Sequence, residues 1–181
     1  MASKVSIHEL LAQLPETDKE LGAKLPPPTT EEEKRRRRRE GDPDPGGQGS
    51  KFTAPDPEVM NRMAEQVLAA GESSLRELIG LIQDPAGPSF KDYKAEYLLH
   101  CVAVYATRKS SARKAVVKAM TAHLADANSS AAVQRILIRE LQWIGGAEAT
   151  KALGSLLANE IACADAASAL VAIQRGAAEQ L

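Results

Sequence analysis

The sequence is poor in aromatic residues, cysteine and histidine. Its 181 residues include one Trp, three Tyr and two Phe, together with two Cys and three His. Alanine and leucine therefore carry most of the apolar content, which favours closely packed helices over a β-sandwich core. Two cysteines do not make a disulfide framework, so Cys101 and Cys163, which lie in apolar stretches, are predicted to be buried, reduced thiols.

The chain also lacks a long apolar run and a large net charge. No segment approaches the roughly 18 consecutive apolar residues of a transmembrane helix, and the first residues contain no apolar core of signal-peptide length. These absences favour a cytoplasmic location. The net charge is −1, so overall charge predicts neither nucleic-acid nor membrane binding.

One short apolar sequence pattern is repeated along the second half of the chain. It ends each time on Asp or Asn, at Asp84, Asp126 and Asn159, and an apolar helix follows each time. The intervals between these markers are 42 and 33 residues, which brackets the length of helical-hairpin repeats. A helical hairpin of this kind buries its apolar face only against its neighbours, so the repetition predicts stacked hairpins.

Capping and glycine signals divide residues 58–181 into helices. Asp56-Pro57 marks the start of a first helix that ends at Gly71, and Gly145-Gly146 and Gly176 mark later boundaries. Short loops between the following helices predict antiparallel pairs. The predicted pairs are 73–84 with 92–107, 110–126 with 130–144, and 147–158 with 161–174.

Two segments precede these helices. Residues 1–21 are predicted to contain a short amphipathic helix, because apolar residues recur at helical spacing within 3–14. Residues 22–57 are predicted to be a disordered linker with too little apolar surface to compensate for the entropy of ordering. Six bases at Lys34–Arg39 are flanked by six acids, so this block indicates a neutral tether rather than a nucleic-acid site.

The repeated residues resemble HEAT repeats, in the bacterial form called HEAT-like or phycobilisome-lyase-type repeats. The resemblance covers residues 73–176. The first helix of the first pair carries Leu-x-x-Leu-x-x-Leu, at Leu75, Leu78 and Leu81, before Asp84. The second helices carry small residues before leucine, as in Ala132-Val133, Leu137 and Leu141. The resemblance implies an all-α fold, namely a short α-solenoid of antiparallel helical hairpins that follows a disordered N-terminal region.

Residue sets that would support catalysis or metal binding are scarce. His100 and His123 lie in separate helices without a nearby His or carboxylate at metal-ligand spacing. His8-Glu9 is the only His-Glu pair, whereas HEAT-type di-iron hydroxylases such as deoxyhypusine hydroxylase use several. No phosphate-binding glycine loop joins a strand to a helix. We therefore expect no enzymatic activity, no cofactor and no metal.

Charge is distributed unevenly along the repeats. Residues 108–139 contain seven bases and one acid, a net charge of +6, whereas 52–107 sum to −4 and 140–181 to −3. Arg135 and Arg139 share one helical face, and the HEAT resemblance places second helices on the concave side. Two interpretations of these bases remain open. They form either a solvated face whose bases pair with nearby acids or a binding site for an acidic protein segment or a phosphate backbone.

A second candidate cluster consists of Tyr93, Tyr97 and His100, at i, i+4 and i+7 of one predicted helix. Tyrosines suit interfaces because one end is apolar and the other forms hydrogen bonds. The alternative is that these rings pack between repeats.

The predicted function is a non-enzymatic scaffold that binds another protein or peptide, with an acidic partner favoured by the bases, on the concave face of the solenoid. The alternatives are nucleic-acid binding through the basic middle repeat and a role as accessory of a phycobilisome-lyase-type enzyme. The candidate partner-binding residues are Tyr93, Tyr97, His100, Arg113, Lys114, Lys118, Arg135 and Arg139.

The end of the repeat region has little polar sequence. A terminal repeat normally needs a polar outer face, and few polar residues follow Gly176. Three alternatives remain: a solenoid truncated at its C-terminus, a last face that dimerises, or a last face covered by a partner.

Overall fold

The computed structural model describes residues 6–15, 30–40, 55–84, 93–126 and 129–176, and within these ranges all regular structure is helical. The α-helices of the described ranges are α1 (Ile7–Ala12), α2 (Glu31–Glu40), α3 (Pro57–Ala70), α4 (Glu72–Gly80), α5 (Lys94–Ala106), α6 (Ser110–Leu124), α7 (Ala131–Ile144), α8 (Ala147–Ser155) and α9 (Cys163–Gln174). A 3₁₀ turn, Leu156–Ala158, continues α8. None of these helices is long and apolar enough to cross a bilayer. The chain divides into two compact units, Met1–Leu11 with Pro57–Leu181, and Ala12–Asp56.

The segment predicted to be a disordered linker contains a helix. Within residues 22–57, α2 spans Glu31–Glu40, and the side-chain oxygen of Thr30 accepts a hydrogen bond of 3.1 Å from the backbone N–H of Glu33. Thr30 and Glu33 have the spacing of a capping box, and the acids of the first turn complement the positive end of the helix dipole. The prediction weighed apolar content alone and so missed this helix. Residues 22–29 and 41–54 lie outside the described residues.

The amphipathic N-terminal helix is shorter than the apolar pattern predicts. It extends over Ile7–Ala12, with Ile7 and Leu10 fully buried, whereas residues 1–5 and 16–21 lie outside the described residues.

Residues 57–176 form the predicted sequence of helices. The three predicted pairs correspond to α4 with α5, α6 with α7, and α8 with α9, and α3 precedes them. The main difference is that α4 ends at Gly80 rather than at residue 84. Glycine has the lowest helix propensity of the residues other than proline, which accounts for an earlier end than the apolar pattern indicates.

These helices form two layers. The first-helix layer contains α4, α6 and α8, in which α6 packs against both others. The second-helix layer contains α3, α5, α7 and α9, each packed against the next. Helices of the two layers also contact each other within each pair. The core includes Leu78, Leu99, Met120, Leu137 and Leu153, all fully buried, and each such side chain contributes roughly 1.5–3 kcal/mol when it is removed from water.

The turn between α7 and α8 depends on two glycines. The N–H of Gly145 donates to the carbonyl oxygen of Leu141 at 2.8 Å. A Cβ on Gly145 would lie 2.4 Å from that same oxygen and 2.9 Å from Cδ1 of Ile173. A Cβ on Gly146 would lie 2.7 Å from Oε2 of Glu148. The backbone carbonyl of Leu141 therefore leaves no room for a larger residue at Gly145, whereas the atom near Gly146 is the tip of a flexible side chain that can move.

Candidate interaction surface

Four of the predicted basic residues form ion pairs that join the middle hairpin, α6 with α7, to both of its neighbours. The pairs are Lys118–Glu72 at 3.0 Å, Arg113–Glu148 at 3.1 Å, Arg135–Asp165 at 3.4 Å, and Arg139–Glu96. Two pairs lie in each layer, and each layer has one pair on either side of the middle hairpin. The uneven charge of the sequence thus corresponds to contacts between hairpins, as the first interpretation of the bases expects.

Arg113 stabilises the turn between α7 and α8 through two contacts. Its Nη1 donates to the carbonyl oxygen of Ile144 at 2.8 Å, and its Nη2 lies 3.1 Å from Oε1 of Glu148. The first contact satisfies a carbonyl at the negative end of α7, and the second links the guanidinium to the first turn of α8. The side chain is largely buried, so Arg113 serves this turn rather than an external partner.

The other two candidates on α6 are exposed. The amino group of Lys118 lies 3.0 Å from Oε2 of Glu72 on α4, and this hydrogen bond, with a second from Arg76, lowers the pKa of the Glu72 carboxyl. Lys114 is exposed on α6. Both residues belong to the first-helix layer.

Replacing Arg113 by alanine is expected to lower the free energy of unfolding by about 1–2 kcal/mol, because a charge-assisted hydrogen bond and an ion pair are lost together. Urea denaturation followed by circular dichroism measures this change. The matched control is Lys114→Ala, which removes an exposed base from the adjacent position and should change stability by less than about 0.5 kcal/mol. Equal effects of the two substitutions would contradict the role given to Arg113.

Arg135 and Arg139 remain accessible despite their ion pairs. Both side chains on α7 are more than half exposed, and the contacts use Nε of Arg135 and Nη2 of Arg139. A guanidinium carries five N–H donors, so one contact leaves other donors facing solvent. Asp165 and Glu96 therefore orient these two groups, and the free donors retain the fork geometry that matches a carboxylate.

Trp143 is the residue that the sequence reasoning missed. It is the only Trp in the chain, and it is 52% exposed at the end of α7. It follows Arg139 by one helical turn and Arg135 by two, so all three lie along one stripe of α7. Tryptophan and arginine are enriched among the residues that dominate binding energy at protein interfaces. The four-residue spacing was therefore a signal available in the sequence.

The tyrosine cluster lies at the start of α5, the helix that contacts α7 in the second-helix layer; Tyr93 is the N-cap residue, and Tyr97 and His100 lie within the helix. The rings of Tyr93 and Tyr97 pack edge to face, with centroids 6.0 Å apart and an interplanar angle of 66°. Burial raises the pKa of the Tyr97 hydroxyl, and proximity to Cys101 raises it further. Burial also raises the pKa of the Cys101 thiol, which keeps it protonated and therefore weakly nucleophilic. Both cysteines are free thiols, as the sequence predicts, but they are half-buried where the prediction was of buried side chains.

His100 connects α5 to α7 through a buried carboxylate. Its Nδ1 lies 2.9 Å from Oε2 of Glu140, and Glu140 is only 3% exposed. The hydrogen bond to Glu140 raises the pKa of His100, against the opposing effect of burial. Arg139 and Glu96 are the other charged groups that act on this imidazole.

These placements separate the predicted residues into two groups. Short connections join α5 to α6 and α6 to α7, so α5 and α7 run in the same direction. Val104 follows His100 by one turn and is exposed, as Trp143 is on α7. We define the α5–α7 surface as Tyr93, Tyr97, His100, Val104, Arg135, Arg139 and Trp143. Arg113, Lys114 and Lys118 lie in the first-helix layer and do not join it.

The α5–α7 surface carries both apolar and charged side chains. It combines aromatic rings, oriented guanidinium groups and an imidazole, and within the described ranges no three His, Cys, Asp or Glu side chains are placed to hold a metal ion. Comparison of the chain with protein families, with curated proteins and with solved structures yields no match in any of the three.

Proposed function

We propose that residues 58–181 form a HEAT-like α-solenoid that acts as a non-enzymatic scaffold for protein interactions. Support comes from the order of the helix contacts, because each helix of α4–α9 packs on its partner in the pair and on its counterpart in an adjacent pair. In a stack of repeats each unit contacts only its neighbours. The ion pairs follow the same order, since all four join adjacent hairpins.

The binding site in this proposal is the α5–α7 surface. The observation that carries it is the half-exposed Trp143 in line with Arg135 and Arg139. An aromatic anchor beside two guanidinium groups fits a peptide segment that presents carboxylates next to an apolar side chain. Tyr97 and Val104 extend the apolar part of the surface on the adjacent helix.

The nucleic-acid alternative is less well supported by these contacts. Affinity for a phosphate backbone comes from bases that displace bound counterions. Four of the seven bases in residues 108–139 lie beside carboxylates of the same chain. These carboxylates lower the net positive charge that a phosphate backbone would meet, although guanidinium donors of Arg135 and Arg139 stay exposed. The middle hairpin therefore offers less free positive charge than its sequence indicates.

A random peptide library panned on the full chain tests the proposed function. We expect the selected peptides to be enriched in Asp or Glu beside an aliphatic or aromatic residue. Isothermal titration with one selected peptide should show that Trp143→Ala and Arg135→Gln each weaken binding by about tenfold or more, because both remove a central contact.

Lys114→Gln, which neutralises an exposed base of the other layer, is the control and should leave peptide affinity unchanged. Thermal unfolding of each variant separates loss of binding from loss of structure. Peptides that bind the Trp143→Ala variant as well as the native chain would exclude the α5–α7 surface. Strong binding of a DNA duplex that weakens steeply with added salt would favour the nucleic-acid alternative instead.

A further inference from the structure

The last hairpin, α8 with α9, exposes a position that the preceding hairpins bury. The residue two places before each Asp or Asn marker is Ile82, Leu124 or Leu157. Ile82 and Leu124 are 7% and 5% exposed, whereas Leu157 is 48% exposed. Ile161 and Val171 of the same hairpin are also exposed. Three of the five large exposed apolar side chains in the described residues therefore belong to this hairpin.

A cavity of about 770 Å³ adjoins this hairpin where α8 begins and α9 ends. Its lining includes Ala147 and Thr150 of α8, Leu170, Ile173 and Gln174 of α9, and the Arg113–Glu148 ion pair beside Gly145 and Gly146. Leu157 follows Thr150 by two helical turns, so both point to one side. Val171 and Gln174 are three residues apart and neighbour each other on α9.

The apolar side chains and the cavity occupy opposite ends of this face. The cavity lies at the beginning of α8 and the end of α9. Leu157 and Ile161 lie in the connection between the end of α8 and the beginning of α9. Residues 147–158 span about 18 Å at the rise of a helix. A two-fold axis through the middle of the face would thus place Leu157 and Ile161 of each copy at the cavity of the other.

The charges at this face are compatible with self-association. Glu148 and Asp165 are already paired with Arg113 and Arg135. Within the described residues, Lys151 and Glu160 are exposed and form no ion pair. They have opposite signs, so two copies of the face do not repel each other, and a two-fold contact can pair Lys151 of each copy with Glu160 of the other.

We propose that this face binds the same face of a second copy of the chain, giving a symmetric dimer through α8 and α9. The occupant follows from the face itself, because the protruding side chains, the cavity and the opposite charges complement one another under two-fold symmetry. Two helices of this length present a footprint of only about 20 by 18 Å, or about 360 Å² per copy, which is below the size of a standard specific interface and typical of a weak, reversible contact. The dimer is therefore expected to dissociate in the micromolar range.

Sedimentation velocity of the full chain, from about 5 μM to about 500 μM, tests the proposal over a range that brackets micromolar association. The native chain should shift from monomer to dimer with increasing concentration. Leu157→Glu and Ile161→Glu should each weaken association by about tenfold or more, because each places a charge in an apolar contact. Both positions are exposed in the monomer, so both variants should fold, as circular dichroism would verify.

The matched control is Val104→Glu, which places the same charge at an equally exposed apolar residue, 49% accessible on α5. It should leave association unchanged. Lys151→Glu should weaken the dimer, and the combination of Lys151→Glu with Glu160→Lys should restore it. A monomer at every concentration, or a dimer that is unaffected by Leu157→Glu, would overturn the proposal. Neither result depends on peptide binding at the α5–α7 surface.

Discussion

Replacing Gly145 by alanine should lower the free energy of unfolding by about 2–3 kcal/mol, the upper part of the range for overpacking a close contact. The new Cβ would lie 2.4 Å from the carbonyl oxygen of Leu141, a backbone atom, and 2.9 Å from Cδ1 of Ile173. A flexible side-chain tip can move away, but a helix carbonyl that already accepts the N–H of Gly145 cannot. The end of α7 or the position of α9 must therefore shift. Urea denaturation at neutral pH measures the loss.

Gly80→Ala is the control for this substitution. Gly80 is the last residue of α4, and a Cβ there would have no atom within 4 Å. Alanine has the higher helix propensity and reduces the freedom of the unfolded chain, so this variant should be neutral or more stable by up to about 1 kcal/mol. A Gly145→Ala variant as stable as the native chain would show that the turn between α7 and α8 adapts to a larger residue.

Replacing His100 by alanine should lower the free energy of unfolding by about 1 kcal/mol in mildly acidic solution. Glu140 is buried, and the substitution removes the donor that faces its carboxylate. An unsatisfied buried acceptor commonly costs more, but the imidazole is half exposed, and solvent screens part of the interaction.

The contribution of His100 should decrease as the pH rises. The hydrogen bond to Glu140 raises the pKa of His100 above its ordinary value of 6.5, so the folded state favours the protonated ring. Stability from this group is therefore fully present below about pH 6.5 and is lost as the pH rises through the higher pKa of the folded state. Denaturation of the native and His100→Ala chains from about pH 5.5 to 8.5 should show their stabilities converging. Glu140→Gln should flatten this dependence. A difference that grows with pH would refute the pairing.

The helices could be predicted from the sequence because local signals and packing agree for most of them. Asp56-Pro57 and the Gly145-Gly146 turn lie at helix boundaries in the structure, as predicted. The α2 helix was missed for the opposite reason. It has almost no apolar face, and its favourable features are a cap at Thr30 and charges that follow the helix dipole, neither of which contributes to a search for apolar periodicity.

The binding residues could be predicted only in part, since charge in a sequence does not reveal what neutralises it. Arg113 and Arg135 look equivalent in the sequence, yet one is largely buried against the Ile144 carbonyl and the other remains exposed beside Asp165. Contacts over 30 residues or more decide the difference. Trp143 was accessible to sequence reasoning, but a lone Trp in an apolar helix is more often buried, and only the packing of α7 shows that it faces solvent.

The ion pairs between hairpins also restrict how a protein of this kind can evolve. In the proposed solenoid each hairpin contacts only its neighbours, so the loss or duplication of one hairpin would change which charges meet. Here the middle hairpin is basic and both neighbouring hairpins are acidic. Excision of the middle hairpin would bring Glu72 and Glu96 towards Glu148 and Asp165. Duplication of the middle unit would set lysine and arginine against their own copies. Three of the four pairs are largely exposed, and each of these is worth at most about 1 kcal/mol, so charge disfavours such changes in the number and order of the hairpins by a modest amount.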